Sequence, residues 1–138
     1  MKKILVTGSA GFIGFHLVKA LLANGFEVLG IDNLNDYYSP ELKFKRLENI
    51  NTFIKVRDLS HLYKFERIDI SCERELREVF KENAFDIVIN LAAQAGVRYS
   101  IENPMAYVSS NVVGFANILE CCRHFNIERL VYASSSSV

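Results

Sequence analysis

The stretch that decides the fold is TGSAGFIG, residues 7–14, in which glycine recurs at every third position. The apolar run KILVTG, residues 3–8, predicts a buried β-strand, and the residues from 11 onward predict a helix. Between the two, Gly8 permits a tight turn, Gly11 lets the backbone approach a pyrophosphate, and Gly14 allows the helix to pack closely on the sheet. The spacing therefore predicts a dinucleotide-binding turn. The alternative is three turn and packing glycines without a ligand.

The start of this helix supplies the groups that a phosphate needs. Its first backbone N–H groups have no partner inside the helix, and the helix dipole favours negative charge there. We therefore expect a dinucleotide to contact the turn through Gly8, Gly11, Phe12, Ile13 and Gly14.

Asp32 ends the second predicted strand, FEVLGID, 18 residues after Gly14. A carboxylate at this place accepts hydrogen bonds from ribose hydroxyls and repels a 2′-phosphate. The next basic residue is Lys43, so nothing nearby in the sequence would hold such a phosphate. These features favour NAD over NADP, although Asp32 is also a residue type that begins loops. Asn33 follows in the polar and aromatic loop NLNDYYSP, residues 33–40, and we expect it at the same site.

Strands and helices alternate along the rest of the chain. The further strands are predicted at residues 63–70, 85–93 and 129–134, and the further helices at residues 40–50, 72–83 and 103–126. Because the strands are continuously apolar, helices must cover both faces of the sheet. The chain is therefore predicted to be an α/β protein with a doubly wound parallel sheet, the Rossmann fold, in the strand order 3-2-1-4-5.

The predicted helices carry apolar faces. In the first helix this face comprises Phe12, Ile13, Leu17, Ala20 and Leu21, and in the helix at 72–83 it comprises Leu76, Val79 and Phe80. In the long helix at 103–126, Pro104 suits the first helical position. The apolar stripe of that helix runs through Tyr107, Val108, Asn111, Val112, Phe115, Ile118, Leu119 and Cys122. Asn111 is a polar group on this stripe, so it is either a structural tie to the next loop or a site residue.

The composition excludes several classes of protein. Lys+Arg and Asp+Glu number 16 each, which favours neither nucleic acid nor an anionic membrane as a partner. A Gly-rich turn interrupts the apolar start, so a secretory signal peptide is not expected, and no apolar run approaches the roughly 20 residues of a membrane span. The cysteines Cys72, Cys121 and Cys122 have no metal-site spacing and fit thiols packed in a reducing cytosol. We therefore expect a cytoplasmic protein without a metal.

The loop after strand four, NLAAQAGVRYS at residues 90–100, is predicted to lie beside the ligand crevice. Its residues Leu91, Ala92, Ala93 and Gln94 are expected to contact the cofactor, since the alanines are small enough for it to lie flat on the backbone. Arg98 either binds a phosphate or carboxylate of the substrate or is a solvated surface residue. Asp69 is predicted to close strand three, and Asp69 and Ile70 are expected at the adenine edge, or Asp69 merely caps the following helix.

Four segments together carry a family resemblance: TGSAGFIG, DNLNDYY, NLAAQAGVR and SSNVVGFANILE. With them the chain resembles the extended short-chain dehydrogenase/reductase family, and within it the NAD-dependent nucleotide-sugar epimerases of the UDP-glucuronate 4-epimerase type. The resemblance implies NAD as cofactor, a nucleotide-sugar substrate and a homodimer. It also implies a Tyr-x-x-x-Lys pair and a C-terminal substrate domain, which this chain does not contain. Residues 1–138 are therefore expected to be the NAD-binding domain, incomplete at its C-terminus.

In this family the sugar is transiently oxidised at C4 and the hydride then returns to the opposite face. The resemblance makes Ser135 the residue that hydrogen-bonds the reacting oxygen. Relatives that eliminate water carry Asp-Glu after this position, whereas Ser136 and Ser137 stand here and are expected to bind a sugar carboxylate. Two alternatives remain: a stand-alone dinucleotide-binding or sensing module, and a degenerate fragment without activity.

Overall fold

The structure, a computed structural model, describes residues 1–135. Those residues contain one sheet of five parallel strands in the order β3-β2-β1-β4-β5, which confirms the predicted fold class and strand order. The strands are β1 Lys3–Thr7, β2 Glu27–Asp32, β3 Tyr63–Arg67, β4 Ile87–Asn90 and β5 Leu130–Tyr132. Because all of them run in one direction, their carboxyl ends meet at one edge of the sheet, where the connecting loops gather.

Helices cover both faces of the sheet. They are α1 Phe12–Ala23, α2 Pro40–Val56, α3 Glu73–Glu82, α4 Val97–Glu102, α5 Pro104–Tyr107 and α6 Phe115–His124. A 3₁₀ turn, Ser60–Leu62, precedes β3, and a π-helical segment, Val108–Gly114, joins α5 to α6.

The two faces of the sheet bury separate hydrophobic clusters. In β1, Leu5 packs into the cluster that includes α3 and α6, whereas Ile4 and Val6 pack into the cluster that includes α1 and α2. Side chains alternate between the two faces of a strand, so a strand with core on both sides is apolar at every position. This arrangement explains the continuous apolar runs in the sequence.

Only part of the predicted apolar face of α1 packs on the core, through Leu17 and Leu21. Phe12 and Ile13 are 67% and 63% exposed, and Ala20 is exposed as well, while Leu17 and Leu21 are only partly buried. The buried residues of α1 are Gly14, Val18 and Leu22. The cause is Gly14, because a Cβ at this position would overlap the carbonyl of Gly8. The face that bears this glycine can approach the sheet most closely.

Several element boundaries differ from the prediction, among them the end of α2, the end of β3 and both ends of β4. Helix α2 continues to Val56 rather than ending near Ile50, because Ile50 and Ile54 are both buried on one side of it. Strand β3 ends at Arg67, so Asp69 lies two residues beyond the strand and does not close it.

The long helix at 103–126 is only partly regular. Pro104 occupies the first helical position, as predicted, and Ile118 and Cys122 are buried. A π-helical turn contains one residue more than an α-helical turn. The helix faces that precede the π-helical segment are therefore rotated relative to those of α6. As a result Val112 and Asn111, which were predicted on the buried stripe, are exposed.

Candidate functional site

A crevice of about 230 Å³ lies at the carboxyl ends of β1, β2 and β4 and is open to solvent. The loops after β1, β2, β3 and β4 all contribute to its walls. Of the residues proposed from the sequence, the crevice wall contains Gly8, Gly11, Phe12, Asp32, Asn33, Asp69, Ile70, Leu91, Ala92, Ala93 and Gln94.

The Gly-rich turn and the start of α1 form one wall of the crevice. Gly8 has a φ of 65°, a conformation that favours glycine, and a Cβ there would lie 2.8 Å from the amide nitrogen of Ala92. Gly11 is the N-cap of α1 and has no side chain to cap the helix. The first N–H groups of α1 are therefore available to an anionic ligand.

Asp32 is buried and organises the opposite wall. Its Oδ2 accepts a hydrogen bond from the N–H of Ala10 at 3.2 Å, and its Oδ1 accepts one from the N–H of Leu34 at 2.8 Å. The carboxylate thus connects the Gly-rich turn to the loop after β2. A carboxylate offers about four acceptor positions, so capacity remains for a ligand hydroxyl.

Lys43 is the site residue that sequence reasoning passed over. Its Nζ lies 2.9 Å from Oδ1 of Asp32, and the two side chains are only 8% and 4% exposed. The same ammonium donates to Oδ1 of Asn35 at 3.3 Å and lines the crevice. The sequence suggested no basic group near Asp32, but the first turn of α2 returns the chain to this carboxylate. The spacing of 11 residues carries no signal of such a contact.

The loop after β3 supplies a second carboxylate. Asp69 Oδ2 accepts a hydrogen bond from Nδ2 of Asn33 at 3.0 Å, and its Oδ1 accepts from the N–H and hydroxyl of Ser71 at 2.8 and 2.7 Å. Partial burial raises the pKa of Asp69, but these hydrogen bonds outweigh it, and the net effect lowers the pKa below its usual value. Asp69 is therefore an ionised acceptor beside Asn33.

A buried network fixes the floor of the crevice. The Thr7 hydroxyl donates to Oδ1 of Asn90 at 2.6 Å and accepts from the N–H groups of Leu91 and Ala92 at 3.1 and 3.0 Å. The ends of β1 and β4 are thereby held together. Neither Thr7 nor Asn90 was singled out from the sequence, because a polar residue at a strand end is common.

Asn111 is a structural tie, and it holds the preceding loop rather than the next one. Its Oδ1 accepts from the N–H of Gln94 at 2.8 Å, and its Nδ2 donates to the carbonyl of Gln94 at 2.9 Å. Gln94 is buried and lines the crevice. Asn111 therefore holds Gln94 in the crevice wall from a position outside the crevice.

The remaining proposed residues lie elsewhere. Ile13 and Arg98 are exposed, and Gly14 is buried beneath the Gly-rich turn. Ser135 is exposed, three residues after the end of β5. The proposed substrate residues Ser136 and Ser137 lie outside the described residues.

The cysteines behave as packed thiols. Cys121 and Cys122 are buried on α6, and burial raises the pKa of each thiol to about 11. Between residues 1 and 135, no group of His, Cys, Asp and Glu is arranged to hold a metal ion. No helix in that part of the chain is long and apolar enough to span a membrane.

Known proteins match this chain over nearly its whole length. The NAD dependent epimerase/dehydratase family matches residues 4–138. Protein CapI of Staphylococcus aureus is 53% identical over 136 residues, which cover 99% of this chain and 38% of CapI. UDP-glucuronate 4-epimerase of Thermodesulfobacterium geofontis is 46% identical over 134 residues, which cover 97% of this chain and 39% of that enzyme.

A solved structure shows the same fold. It is a mutant UDP-glucuronic acid 4-epimerase from Bacillus cereus in complex with NAD and UDP-4-deoxy-4-fluoro-glucuronic acid, with a TM-score of 0.83 and 35% identity. The match covers 99% of this chain and 41% of that one, so the chain spans about two fifths of the length of the relatives it matches. With its Gly-rich turn, its five-stranded parallel sheet and a family match over nearly every residue, the chain belongs to the NAD dependent epimerase/dehydratase family.

Proposed function

We propose that this chain is the NAD-binding part of a nucleotide-sugar 4-epimerase of the UDP-glucuronate type. The observation that carries the proposal is the crevice between the start of α1 and the carboxylate of Asp32. Two relatives with the name UDP-glucuronate 4-epimerase, at 48% and 46% identity, support the substrate class.

The residues of the crevice fit an adenine dinucleotide. The first N–H groups of α1, at Phe12 and Ile13, would hold the pyrophosphate, and Asp32 would accept hydrogen bonds from the ribose hydroxyls. Asp69 and Ile70 would meet the adenine. The lining beyond them is formed by the small residues Ala92 and Ala93, over which the rest of the molecule would lie.

The pair of Asp32 and Lys43 favours NAD over NADP. The lysine ammonium is already bound by Asp32 and Asn35, so it is not free to neutralise an added phosphate. A 2′-phosphate would instead bring its negative charge against a buried carboxylate. A ribose hydroxyl needs only an acceptor, which Asp32 provides.

The chemistry that NAD supplies when bound is oxidation of the sugar at C4 and return of the hydride to the other face. In this account Ser135 hydrogen-bonds the reacting oxygen, and Arg98, Ser136 and Ser137 bind the sugar nucleotide and its carboxylate. The Tyr-x-x-x-Lys pair that would act as the base does not occur in the 138 residues. We therefore expect purified residues 1–138 to convert no UDP-glucuronate in the presence of NAD.

Calorimetric titration tests the cofactor assignment. The chain should bind NAD more tightly than NADP, and Asp32→Ser should weaken NAD binding at least tenfold, since hydrogen bonds to a charged group contribute about 1.5–3 kcal/mol. Asp36→Ser is the matched control, because Asp36 is an exposed aspartate on the same loop. Equal affinity for NAD and NADP, or an equal loss in both variants, would contradict the proposal.

Two other functions predict different results. A stand-alone dinucleotide-binding or sensing module binds NAD and has an intact mass of 15.7 kDa in its own cells. A degenerate fragment binds NAD weakly and is scarce. The epimerase account expects a larger protein in the cytoplasm, acting as a homodimer on a nucleotide sugar and binding neither nucleic acid nor membrane.

A further inference from the structure

The loop between β2 and α2, residues 33–39, is anchored firmly at its base. The N–H of Leu34 donates to Oδ1 of Asp32 at 2.8 Å, and the N–H of Asn35 donates to Oδ1 of Asn33 at 3.0 Å. Leu34 itself is buried, and Lys43 donates to the side chain of Asn35. The base of the loop is therefore part of the folded core, and its tip is held in a defined place.

Two tyrosines form the tip of this loop. The hydroxyl of Tyr38 accepts a hydrogen bond from Arg46 at 2.9 Å, and the ammonium of Lys43 lies 5.4 Å from the centre of its ring. Tyr37 packs on Tyr38 and also on Tyr99 of α4, with ring centres 6.4 Å and 4.8 Å apart. Since α4 follows β4, the two rings join the loop after β2 to the loop after β4.

The hydroxyl of Tyr37 lies against Gly96 in the loop after β4. A Cβ at Gly96, whose φ of 100° favours glycine, would overlap that hydroxyl. The hydroxyl of Tyr107 donates to the carbonyls of Ala95 and Gly96, at 2.8 Å for Ala95, and holds the loop from behind. The loop that Tyr37 contacts is therefore itself held in place by Tyr107.

The contact between Tyr37 and Tyr99 also affects the crevice. Strand β1 lies between β2 and β4, so a link between the loops of β2 and β4 passes above the Gly-rich turn that follows β1. Tyr37 and Ala95 line the crevice, and Tyr99 packs on Tyr37. We propose that the Tyr37–Tyr99 pair is a strap that closes the solvent side of the crevice and slows the release of the bound dinucleotide.

This inference rests on the proposed function, because the molecule that the strap retains is the dinucleotide. For the dinucleotide to leave, Tyr37 and Tyr99 must separate, so the energy of their contact adds to the barrier for release. Loss of one aromatic pair corresponds to a factor of roughly three to ten in rate. The substitutions should change the association rate less than the dissociation rate, because the dinucleotide enters the crevice while the strap is open.

Stopped-flow fluorescence measures this rate directly. The chain is loaded with NADH, mixed with excess NAD, and the decay of NADH fluorescence gives the dissociation rate. Tyr99→Ala and Tyr99→Leu should each release NADH about three- to tenfold faster than the unaltered chain. Tyr99→Phe is the matched control: it keeps the ring, loses only the hydroxyl that accepts from Asn103, and should release NADH at the unaltered rate.

A double variant separates the strap from a general loss of structure. Once Tyr37→Ala has opened the strap, adding Tyr99→Ala should not increase the release rate further. The proposal is overturned if Tyr99→Ala and Tyr99→Leu both release NADH at the unaltered rate, or if the double variant shows additive effects. If the unaltered chain binds no NADH, the cofactor assignment fails and the strap fails with it, whereas normal binding with unchanged release overturns the strap alone.

Discussion

At the scale of single residues, the site depends on the ion pair of Asp32 and Lys43. Both side chains are almost fully buried, and the carboxylate also accepts hydrogen bonds from the N–H groups of Ala10 and Leu34. Removal of one partner of a buried pair leaves a charge without compensation, which costs far more than the pair itself contributes. The pair therefore couples the stability of the fold to the geometry of the crevice.

Replacement of Lys43 tests this coupling. Lys43→Met should lower the free energy of unfolding by about 3 kcal/mol, because it leaves Asp32 buried and unpaired. Urea denaturation measures the change. The double variant Asp32→Asn/Lys43→Met should recover most of the loss, since it contains no unpaired charge.

Lys45→Met is the matched control for this substitution. Lys45 also lies 2.9 Å from a carboxylate, that of Glu41 on the same helix, but both side chains are largely exposed. A pair of this kind contributes about 0–1 kcal/mol. If Lys43→Met and Lys45→Met lowered the free energy of unfolding by similar amounts, burial of the pair would not increase its contribution to stability.

At the scale of elements, α1 shows how one glycine determines the packing of a helix. The buried residues Gly14, Val18 and Leu22 recur at four-residue intervals, and Gly14 lies directly on the turn at Gly8. The start of α1 is therefore as close to the crevice as backbone contact allows. Its N–H groups reach the position of a phosphate for this reason.

Gly14→Ala tests this packing. The added methyl group would overlap the backbone carbonyl of Gly8, which can make room only by displacing the turn, so the free energy of unfolding should fall by about 1–3 kcal/mol. NAD affinity should fall too, because the turn is displaced. Ala20→Gly, at an exposed position of α1, costs about 1 kcal/mol of helix propensity and should leave NAD affinity unchanged. Unaltered NAD binding by Gly14→Ala would contradict this account of the turn.

The presence of the helices and strands could be predicted from the sequence, whereas the side of each helix that packs on the core could be predicted only in part. The strands were found because burial on both sides leaves a continuous apolar run. Helix α1 contains too many apolar residues for periodicity to identify one face, so the predicted apolar face includes the exposed pair Phe12 and Ile13. The π-helical segment escaped detection because its extra residue leaves no mark on the composition.

The candidate site was predictable to the extent that it consists of short motifs. The Gly-rich turn, Asp32 and the loop containing Ala92 follow strand ends directly, so topology brings them together. Lys43 and Tyr37 reach the crevice through tertiary contacts, which a single sequence does not encode as spacing.

At the scale of the whole molecule, the segment from α4 to the π-helical segment carries several exposed apolar side chains. They recur at intervals of three or four residues along α4, α5 and the π-helical segment, at Val97, Ile101, Met105, Val108 and Val112. Strand β5 is an edge of the sheet, and its Val131 is also more than half exposed. Exposed rows of this kind are typical of surfaces that bind another protein. We expect a second copy of the chain as that partner.

Sedimentation velocity tests the self-association. The chain should sediment as a dimer or larger species at micromolar concentrations, and Ile101→Glu should shift it toward the monomer, since it places a charge in the apolar row. Val56→Glu is the matched control, because Val56 and Ile101 are both 81% exposed but Val56 ends α2 on another part of the surface. A monomer at every concentration, or an equal effect of both variants, would contradict this expectation.

We expect NAD to bind in the crevice at the carboxyl ends of β1, β2 and β4. Amide chemical-shift mapping of the isotopically labelled chain during titration with NAD tests this binding site. The largest shifts should occur at Gly11, Phe12, Asp32, Asp69 and Ala92, with unchanged amides at the far ends of the strands. Absence of shifts at saturating NAD, or shifts confined to another surface, would contradict it.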